Sequence, residues 1–311
     1  MQKINKNILE DLTKIDGGTQ STARINSSYK YCQELAKSNY ENFPVGSILV
    51  PKSNRKYFYS VYAFARIGDD IGDEYDFSTE QRLSMLEGMA ASLNVYVNSK
   101  PEEGNPIFLA LSDTLEKKNI NTNVPLRLLE AFKRDILFEQ PKKIEDLLEY
   151  CAYSANPIGE LVLGISDEYI NNDELLSYSN SFCSGLQLLN FWQDLSRDMS
   201  IGRMYIPTNI LEQFSISIVN NNGRYRWSEE KNAAKLMDYL LTYTEEKLTF
   251  GSQISEVVSS HRLKYELRLM KATSSLVLKK CRNLGKDLIW KRPIVKKSSY
   301  FSMIPKIFFG R

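Results

Sequence analysis

Apolar residues recur at intervals of three and four along most of the chain, which places them on one face of an α-helix. Two-residue alternation, the pattern of half-buried strands, is scarce, so the sequence predicts an all-α protein. The predicted helices span residues 28–40, 57–75, 79–97, 107–118, 125–140, 144–163, 173–200, 228–250, 257–271 and 273–288. Pro157 is expected to kink or interrupt the sixth helix, and Gly202 to follow the end of the seventh. A turn is predicted over residues 220–223, Asn-Asn-Asn-Gly.

No segment is rich enough in glycine, proline or serine to separate two domains. We therefore predict one helical domain over residues 26–290, with a polar lead-in over 1–25 and a basic, aromatic tail over 291–311. From Lys279 to Arg311 the only acidic residue is Asp287. This composition is typical of a peripheral contact with an anionic membrane. The alternative is a tail that packs on the body or is disordered.

Composition and motifs exclude several classes of function. A net charge of +2 predicts no nucleic-acid partner. The four cysteines form no CxxC pair, which argues against a zinc site or a disulfide framework and fits a cytoplasmic protein. The one histidine, His261, argues against histidine-rich metal sites and Ser-His-Asp catalysis. There is no dinucleotide or P-loop motif, and no apolar run approaches the ~18 residues of a membrane span.

A first acidic face is predicted near residue 70. Arg66, Asp69, Asp70 and Asp73 stand at positions i, i+3, i+4 and i+7 of a helix, so their side chains share one face. Carboxylates stacked in this way repel one another. A hard cation such as Mg²⁺, which binds carboxylate and phosphate oxygens, would relieve that repulsion. A solvated acidic face is the alternative.

A second polar stripe is predicted on the helix over residues 173–200. Gln187, Asn190, Asp194 and Asp198 stand at i, i+3, i+7 and i+11, and leucine, phenylalanine and tryptophan fill the other positions. Buried polar groups without partners cost about 1–3 kcal/mol each, so this stripe needs hydrogen-bonding or charged partners. An amphipathic helix with its polar side in water is the alternative.

Taken together, the two acidic faces predict a more specific binding site than either face does alone. If they face each other across a helical bundle, they form a cage for several Mg²⁺ ions and one diphosphate, and the metals neutralise the charge that develops on the leaving group. Arg66, Arg197 and Arg203 are available to bind phosphate oxygens. The surrounding apolar and aromatic side chains would hold a hydrocarbon and shield a carbocation from water.

Both acidic segments resemble the signatures of the squalene/phytoene synthase family. They read DDIGD over residues 69–73 and DLSRD over 194–198, like its two DxxxD motifs, and the similarity runs from about residue 40 to about residue 291. Three further segments are most similar to its bacterial hydroxysqualene synthase branch, which serves hopanoid biosynthesis: YENFPVGS over 40–47, SANPIG over 154–159 and NFWQD over 190–194. A fourth segment, GRMYIP over 202–207, matches the GRxYxP motif of the family as a whole. The resemblance implies an isoprenoid-synthase helical bundle with a central cavity.

The resemblance also implies a reaction: presqualene diphosphate ionises with the help of several Mg²⁺ ions, the cation rearranges, and water captures it as hydroxysqualene. No NADPH is expected, since no dinucleotide motif is present. Handover of the product to other enzymes of the squalene pathway, at the inner face of the cytoplasmic membrane, would suit this chemistry. The residues implied to bind Mg²⁺ are Asp69, Asp70, Asp73, Asp194 and Asp198. Those implied in catalysis are Tyr62, Arg66, Gln187, Asn190 and Tyr205. Those implied in substrate binding are Arg66, Tyr150, Asn156, Gln187, Asn190, Arg197, Arg203 and Arg268.

Other readings of the sequence stay open. Another member of the same family would join two prenyl diphosphates, such as farnesyl diphosphate, to make presqualene diphosphate, squalene or phytoene. A more distant alternative is an all-α Mg²⁺-dependent nucleotide pyrophosphatase, and a non-enzymatic one is a helical membrane-binding scaffold. Gly68 and Gly72 depart from the family pattern, in which residues with side chains are more common. They either loosen the first acidic helix or permit close helix packing.

Overall fold

The computed structural model describes residues 22–38, 51–73, 76–101, 103–168, 172–221 and 223–294. Within them, helices account for most of the chain, which confirms the all-α class. The helices are α1 (Thr22–Ser38), α2 (Arg55–Asp73), α3 (Thr79–Ser99), α4 (Pro106–Lys117), α5 (Asn123–Ile136), α6 (Ile144–Ser154), α7 (Asn156–Ile165), α8 (Asp173–Ser200), α9 (Thr208–Gln213), α10 (Glu230–Gly251), α11 (Ile254–Val257) and α12 (His261–Leu284). A 3₁₀ turn over Gly285–Ile289 follows α12. The strands β1 (Ile218–Asn221) and β2 (Arg224–Trp227) form an antiparallel hairpin.

The long helix α8 has the predicted bounds because both ends have clear signals. The Asn172 side chain accepts a hydrogen bond from the backbone N–H of Leu175 at 3.1 Å, which caps the first turn. After the last turn, Gly202 adopts φ +82°, a conformation that costs glycine little. The predicted helix over 144–163 is divided into α6 and α7, as Pro157 indicated.

Several predicted boundaries were wrong. The helices predicted over 257–271 and 273–288 are mainly one helix, α12, because no glycine or proline separates them. Helix α1 begins six positions before the predicted residue 28, and α5 begins at Asn123, two positions before the expected proline. The short elements α9, α11, β1 and β2 were not predicted, since four to six residues are too few for a clear periodicity.

The described residues fall into two compact units. Those within Met1–Leu137 and Glu160–Ile170 form the first unit, and those within Phe138–Gly159 and Asn171–Arg311 form the second. The motif over residues 40–47, most of the predicted lead-in and most of the predicted tail lie outside the described residues. The predicted domain bounds stay predictions.

The first unit is built around α2, which packs on α1, α4 and α5. Phe64 of α2 is fully buried, and its ring meets that of Phe108 edge-on at 6.1 Å between centroids. Tyr96 of α3 lies 5.4 Å from Phe108, and its hydroxyl accepts a hydrogen bond from the backbone N–H of Asn105. One apolar face of α2 is thereby held in the core of the unit.

The second unit is built around the pair α8 and α10, with α6 and α12 also packed on α8. Trp192 of α8 is fully buried, and its indole N–H donates a 2.8 Å hydrogen bond to the hydroxyl of Thr244 on α10. Close approach of the two helices depends on Gly251, since a Cβ at this position would lie 2.2 Å from the backbone nitrogen of Phe182.

Candidate active site

Helix α2 presents the first acidic face. Its inward positions are buried, whereas Asp69 and Asp73 are exposed and Arg66 and Asp70 are half-buried. Arg66 donates to the Asp70 carboxylate one turn further along the helix, and its Nη1 lies 3.9 Å from Asp69 Oδ2. Burial opposes the charge of Arg66, but the hydrogen bond and the two carboxylates outweigh it and raise its pKa. The face thus holds three carboxylates and one internal countercharge.

Tyr62 lies one turn before Arg66 on the same helix. Burial raises the pKa of its phenol, the Arg66 charge opposes that rise, and Asp70 and Asp69 add to it. The side chain therefore stays protonated and able to donate a hydrogen bond close to the carboxylates.

The glycines of α2 allow it to pack closely on α5. A Cβ on Gly68 would lie 2.7 Å from the ring of Phe132 and 3.3 Å from Leu129, whereas one on Gly72 would meet Phe132 at an ordinary 3.9 Å. Close packing is therefore the structural role of Gly68, and Gly72 has no comparable constraint.

Arg82 of α3 stabilises the C-terminal end of α2. No sequence motif predicted this role. The Nη1 of Arg82 donates a 2.8 Å hydrogen bond to the carbonyl oxygen of Gly72. That carbonyl belongs to the last turn of α2, where backbone acceptors lack helical partners. Arg82 therefore helps to hold the turn that includes Asp73.

Helix α8 presents the second polar stripe. Asn190 is exposed and Gln187, Asp194 and Asp198 are half-buried, while most other positions of this part of the helix are buried. Within the described part of the chain, the side-chain amides of Gln187 and Asn190 make no hydrogen bond. Both are thus available to a ligand.

Asp194 is held by Arg292, a residue that the sequence reading missed. The guanidinium is bidentate: Nε donates to Oδ1, and Nη2 donates to Oδ2 at 3.2 Å. The amide of Gln193 approaches the carbonyl of Pro293 at 3.5 Å, which helps to place Arg292 over α8. A separation of 98 positions left no sequence signal for this pair.

Asp198, one turn beyond Asp194, has a carboxyl group with a raised pKa. Burial and, next, the charge of Asp194 raise the pKa of its carboxyl to about 6, against the opposing charges of Arg203, Arg197 and Arg292. The backbone N–H of Arg203 also donates to the carbonyl of Asp198 at 2.8 Å. A cation placed beside both carboxylates would lower this pKa, because it would favour the charged form.

An aromatic cluster lies beside the stripe in the second unit. The rings of Phe191 and Tyr205 are stacked, with centroids 3.9 Å apart and planes 15° from parallel. The ring centroid of Tyr150 lies 5.8 Å from that of Phe191 and 6.2 Å from that of Tyr205. The ring of Phe138 meets that of Tyr205 edge-on, with centroids 5.3 Å apart. Such π-faces attract positive charge.

The remaining predicted site residues have mixed surroundings. Asn156 is buried, and its Oδ1 accepts a 3.0 Å hydrogen bond from the Ser184 hydroxyl on α8. Arg197 is exposed on α8. Arg268 of α12 donates to both carboxylate oxygens of Glu256 at 3.1 and 3.3 Å. Arg268 thus already has an anionic partner, and its predicted role in substrate binding stays a prediction.

The donor chemistry of the two faces fits Mg²⁺, which prefers carboxylate oxygens. In the part of the chain that the structure describes, no three His, Cys, Asp or Glu side chains are gathered in a ready metal-binding group. The candidate ligands are instead compensated by arginine, Asp70 by Arg66 and Asp194 by Arg292. The same described ranges contain no helix that is both long and apolar enough to cross a membrane.

An all-α chain with two aspartate-rich helical faces, each matched by arginine, has the features of an enzyme that handles a diphosphate through metal ions. The family model for squalene/phytoene synthase matches residues 36–299, and the chain belongs to this family. It is an isoprenoid synthase, so the pyrophosphatase and scaffold alternatives are set aside. The family processes prenyl diphosphates and is generally dependent on divalent metals.

Named relatives make the comparison more specific. The chain is 31% identical over 233 residues to a hydroxysqualene synthase of Zymomonas mobilis subsp. mobilis, covering 74% of this chain and 75% of that protein. It is 24% identical over 221 residues to a 4,4'-diapophytoene synthase of Staphylococcus haemolyticus, covering 71% and 76%. A crystal structure of a squalene synthase from Alicyclobacillus acidocaldarius matches with a TM-score of 0.74 and 31% identity, over 85% of this chain and 97% of that one.

Proposed function

We propose that this enzyme converts presqualene diphosphate into hydroxysqualene in a Mg²⁺-dependent reaction. The observation that best supports this is that the polar stripe of α8, which includes Asp194, lies beside the ring of Phe191, and that Tyr205 from the segment after α8 stacks on this ring. Departure of the diphosphate needs the carboxylates of the stripe to bind metal ions, and the carbocation that remains needs the aromatic rings to stabilise it. Similarity to curated hydroxysqualene synthases, at 26–31% identity, favours this member of the family.

The carboxylates would bind the metal ions. Asp194 and Asp198 on α8, with Asp69, Asp70 and Asp73 on α2, supply oxygen ligands of the kind that Mg²⁺ prefers. When bound, Mg²⁺ supplies positive charge that stabilises the departing diphosphate. That both sets serve one substrate is an inference from the family and from this chemistry.

The arginines and amides would orient the diphosphate. Arg66 is presented on the acidic face of α2, and Arg197 and Arg203 lie at the end of α8, where their guanidinium groups can form charge-assisted hydrogen bonds to phosphate oxygens. Gln187 and Asn190 have unused amide groups to donate. Breaking the carbon–oxygen bond then leaves both electrons on a diphosphate whose oxygens are already bound.

The aromatic cluster would protect the cation. The faces of Tyr150, Phe191 and Tyr205 offer negative electrostatic potential without a nucleophilic atom at the ring face. A cation held there can rearrange before water reaches it. Capture by water ends the reaction without a reductant, so no NADPH is needed.

The mass of the product tests this proposal. Purified protein, Mg²⁺ and presqualene diphosphate are incubated in ordinary and in ¹⁸O-labelled water, with farnesyl diphosphate as substrate in a parallel reaction. We expect hydroxysqualene from presqualene diphosphate, heavier in labelled water by one ¹⁸O substitution. Turnover of farnesyl diphosphate alone, giving presqualene diphosphate, squalene or a phytoene-type product, would instead identify a head-to-head condensing enzyme.

A further inference from the structure

The hairpin of the second unit has one face packed on the protein and one face exposed. On the packed face, the Tyr225 hydroxyl donates to the carbonyl of Met199 at 2.9 Å, and the indole N–H of Trp227 donates to the carbonyl of Lys286 at 2.7 Å. On the other face, Val219 pairs across the strands with Arg226, and both are exposed. The hairpin is thus a fixed platform with an outward side of mixed basic and apolar character.

Large exposed apolar side chains lie around this platform. A groove of ≈ 670 Å³ is lined by the hairpin, including Arg224 and Arg226, by Ser200 at the end of α8 and by Trp290 after the 3₁₀ turn. The Trp290 side chain is 44% exposed, and Ile201, which directly follows Ser200, is 54% exposed. We call Ile201, Val219, Arg224, Arg226 and Trp290 the hairpin surface.

The two arginines of the hairpin surface have no acidic partner among the described residues. The neighbouring acids are engaged elsewhere: Glu230 pairs with Lys286, and Asp287 pairs with Lys291 at 2.8 Å. Glu229 accepts hydrogen bonds from backbone N–H groups at the start of α10. Within the described ranges, the positive charge of Arg224 and Arg226 is therefore left uncompensated.

The sequence continues the same composition where the described chain stops. Ile294, 74% exposed, follows the groove-lining Trp290 by four positions. Residues 295–311 contain four basic residues and no acid, together with three phenylalanines and one tyrosine. The chain therefore leads from the hairpin surface into a stretch of the same basic and aromatic chemistry.

We propose that the hairpin surface docks on an anionic membrane. Tryptophan and arginine suit the boundary between headgroups and acyl chains, since one has an amphipathic ring and the other pairs with lipid phosphate. The isoleucine and valine add apolar area to the same contact. Delivery of a hydrocarbon product into the bilayer would be a benefit of docking that rests on the proposed function, whereas the docking itself does not.

Vesicle binding by the full chain tests the proposal. Co-sedimentation is measured with vesicles of phosphatidylcholine alone and with vesicles that also contain phosphatidylglycerol. We expect binding only to the anionic vesicles, and a loss of about 25-fold in affinity for the double variant Arg224→Gln/Arg226→Gln, since each basic residue near such a surface contributes about fivefold. The control is Arg262→Gln/Lys271→Gln, which removes two exposed charges of α12. Arg262 lies roughly 35 Å along the axis of α12 from the C-terminal end of that helix, which is the end near the hairpin.

Tryptophan emission gives a second, independent measurement. Trp192 and Trp227 are buried, so Trp290 is the tryptophan whose surroundings change on docking. We expect a blue shift with anionic vesicles that Trp290→Phe abolishes. Equal binding by the arginine variant and its control, equal binding to neutral vesicles, or unchanged emission of bound protein would each overturn the proposal. Unchanged melting temperatures show that the variants are folded, and none of these readouts requires enzymatic activity.

Discussion

At the scale of single residues, arginine provides the countercharge that the aspartates need. Asp70 pairs with Arg66 from its own helix, whereas Asp194 pairs with Arg292 from a distant segment. Clustered carboxylates destabilise one another unless a positive charge lies close by. The protein therefore holds its candidate metal ligands in place with guanidinium groups that a metal ion would have to replace or share.

Neutralising a single aspartate on either acidic face should nearly abolish turnover. Asp69→Asn and Asp194→Asn each remove a charged candidate ligand oxygen while they keep the side-chain shape, and we expect a loss of about a thousandfold or more in kcat, since metal-dependent charge stabilisation is worth several kcal/mol. Circular dichroism should show an intact fold. Asp238→Asn, an exposed aspartate of α10 paired with Arg282, is the control and should keep full activity. Near-normal turnover in either motif variant would show that its aspartate is not a metal ligand.

Removing the partner of Asp194 should strengthen metal binding. In Arg292→Gln, the guanidinium no longer competes for the Asp194 oxygens, so the midpoint of a Mg²⁺ titration should fall. The fall should be at most about fivefold, because Arg292 is half exposed and such pairs are worth about 1 kcal/mol or less. The measurement is the rise in melting temperature with Mg²⁺. Arg282→Gln serves as the control, and an unchanged or higher midpoint for Arg292→Gln would contradict the competition.

At the scale of elements, each acidic helix is positioned by close packing against a partner helix. Gly68 brings α2 against Phe132 of α5, and Gly251 brings α10 against the backbone of α8 at Phe182. Such contacts leave no room for a methyl group. Because the interior is close-packed, a shift of either partner helix would move the carboxylates as well.

The two glycines of α2 should respond in opposite ways to alanine. Gly68→Ala should lower stability by about 1–3 kcal/mol, because the ring of Phe132 must move to admit the new methyl group. Gly72→Ala has room and should raise stability by about 0.5 kcal/mol through helix propensity. Thermal unfolding of the metal-free proteins compares them. A stabilising Gly68→Ala would mean that close packing is not why glycine is needed there.

The hydrogen bond between α8 and α10 gives a further test. Thr244→Val keeps the shape of the side chain but leaves the Trp192 indole N–H buried without an acceptor, at a cost of about 1–3 kcal/mol. Adding Trp192→Phe removes the stranded donor, so the double variant should lose less than the sum of the two single variants. Denaturant unfolding of all four proteins measures this coupling, and strict additivity would mean that the bond contributes nothing.

At the scale of the whole molecule, the chain divides its candidate ligands between two units. Asp69, Asp70 and Asp73 belong to the first unit, and Asp194 and Asp198 belong to the second. A substrate that needs both sets would therefore link the stability of the two units.

Inorganic diphosphate with Mg²⁺ should reveal this link without catalysis. We expect the pair to raise the melting temperature of the wild-type protein, and Asp69→Asn and Asp194→Asn each to lose most of that rise. The double variant should lose little more than either single one, because under the proposed function one ligand needs both faces. A full rise in either single variant would show that the two faces bind independently.

The sequence by itself determined the helices that have strong local signals and the residue types of the site. Helix α8 has the predicted bounds because its cap, its apolar periodicity and the glycine beyond its end are all local. The spacing of the aspartates likewise predicted two acidic faces, since helical geometry alone brings positions i and i+4 together. The family resemblance rested on the same short motifs.

Only the tertiary structure decided which distant residues contact the two acidic helices. Arg292 on Asp194, Arg82 on the end of α2 and Phe132 against Gly68 join segments separated by many positions, and no local pattern encodes such a contact. The same holds for the hairpin, whose strands of four residues are too short to predict but are anchored by Tyr225 and Trp227. The physical reason is that periodicity reports which face of an element is apolar, whereas packing decides what that face, and the polar one opposite, will contact.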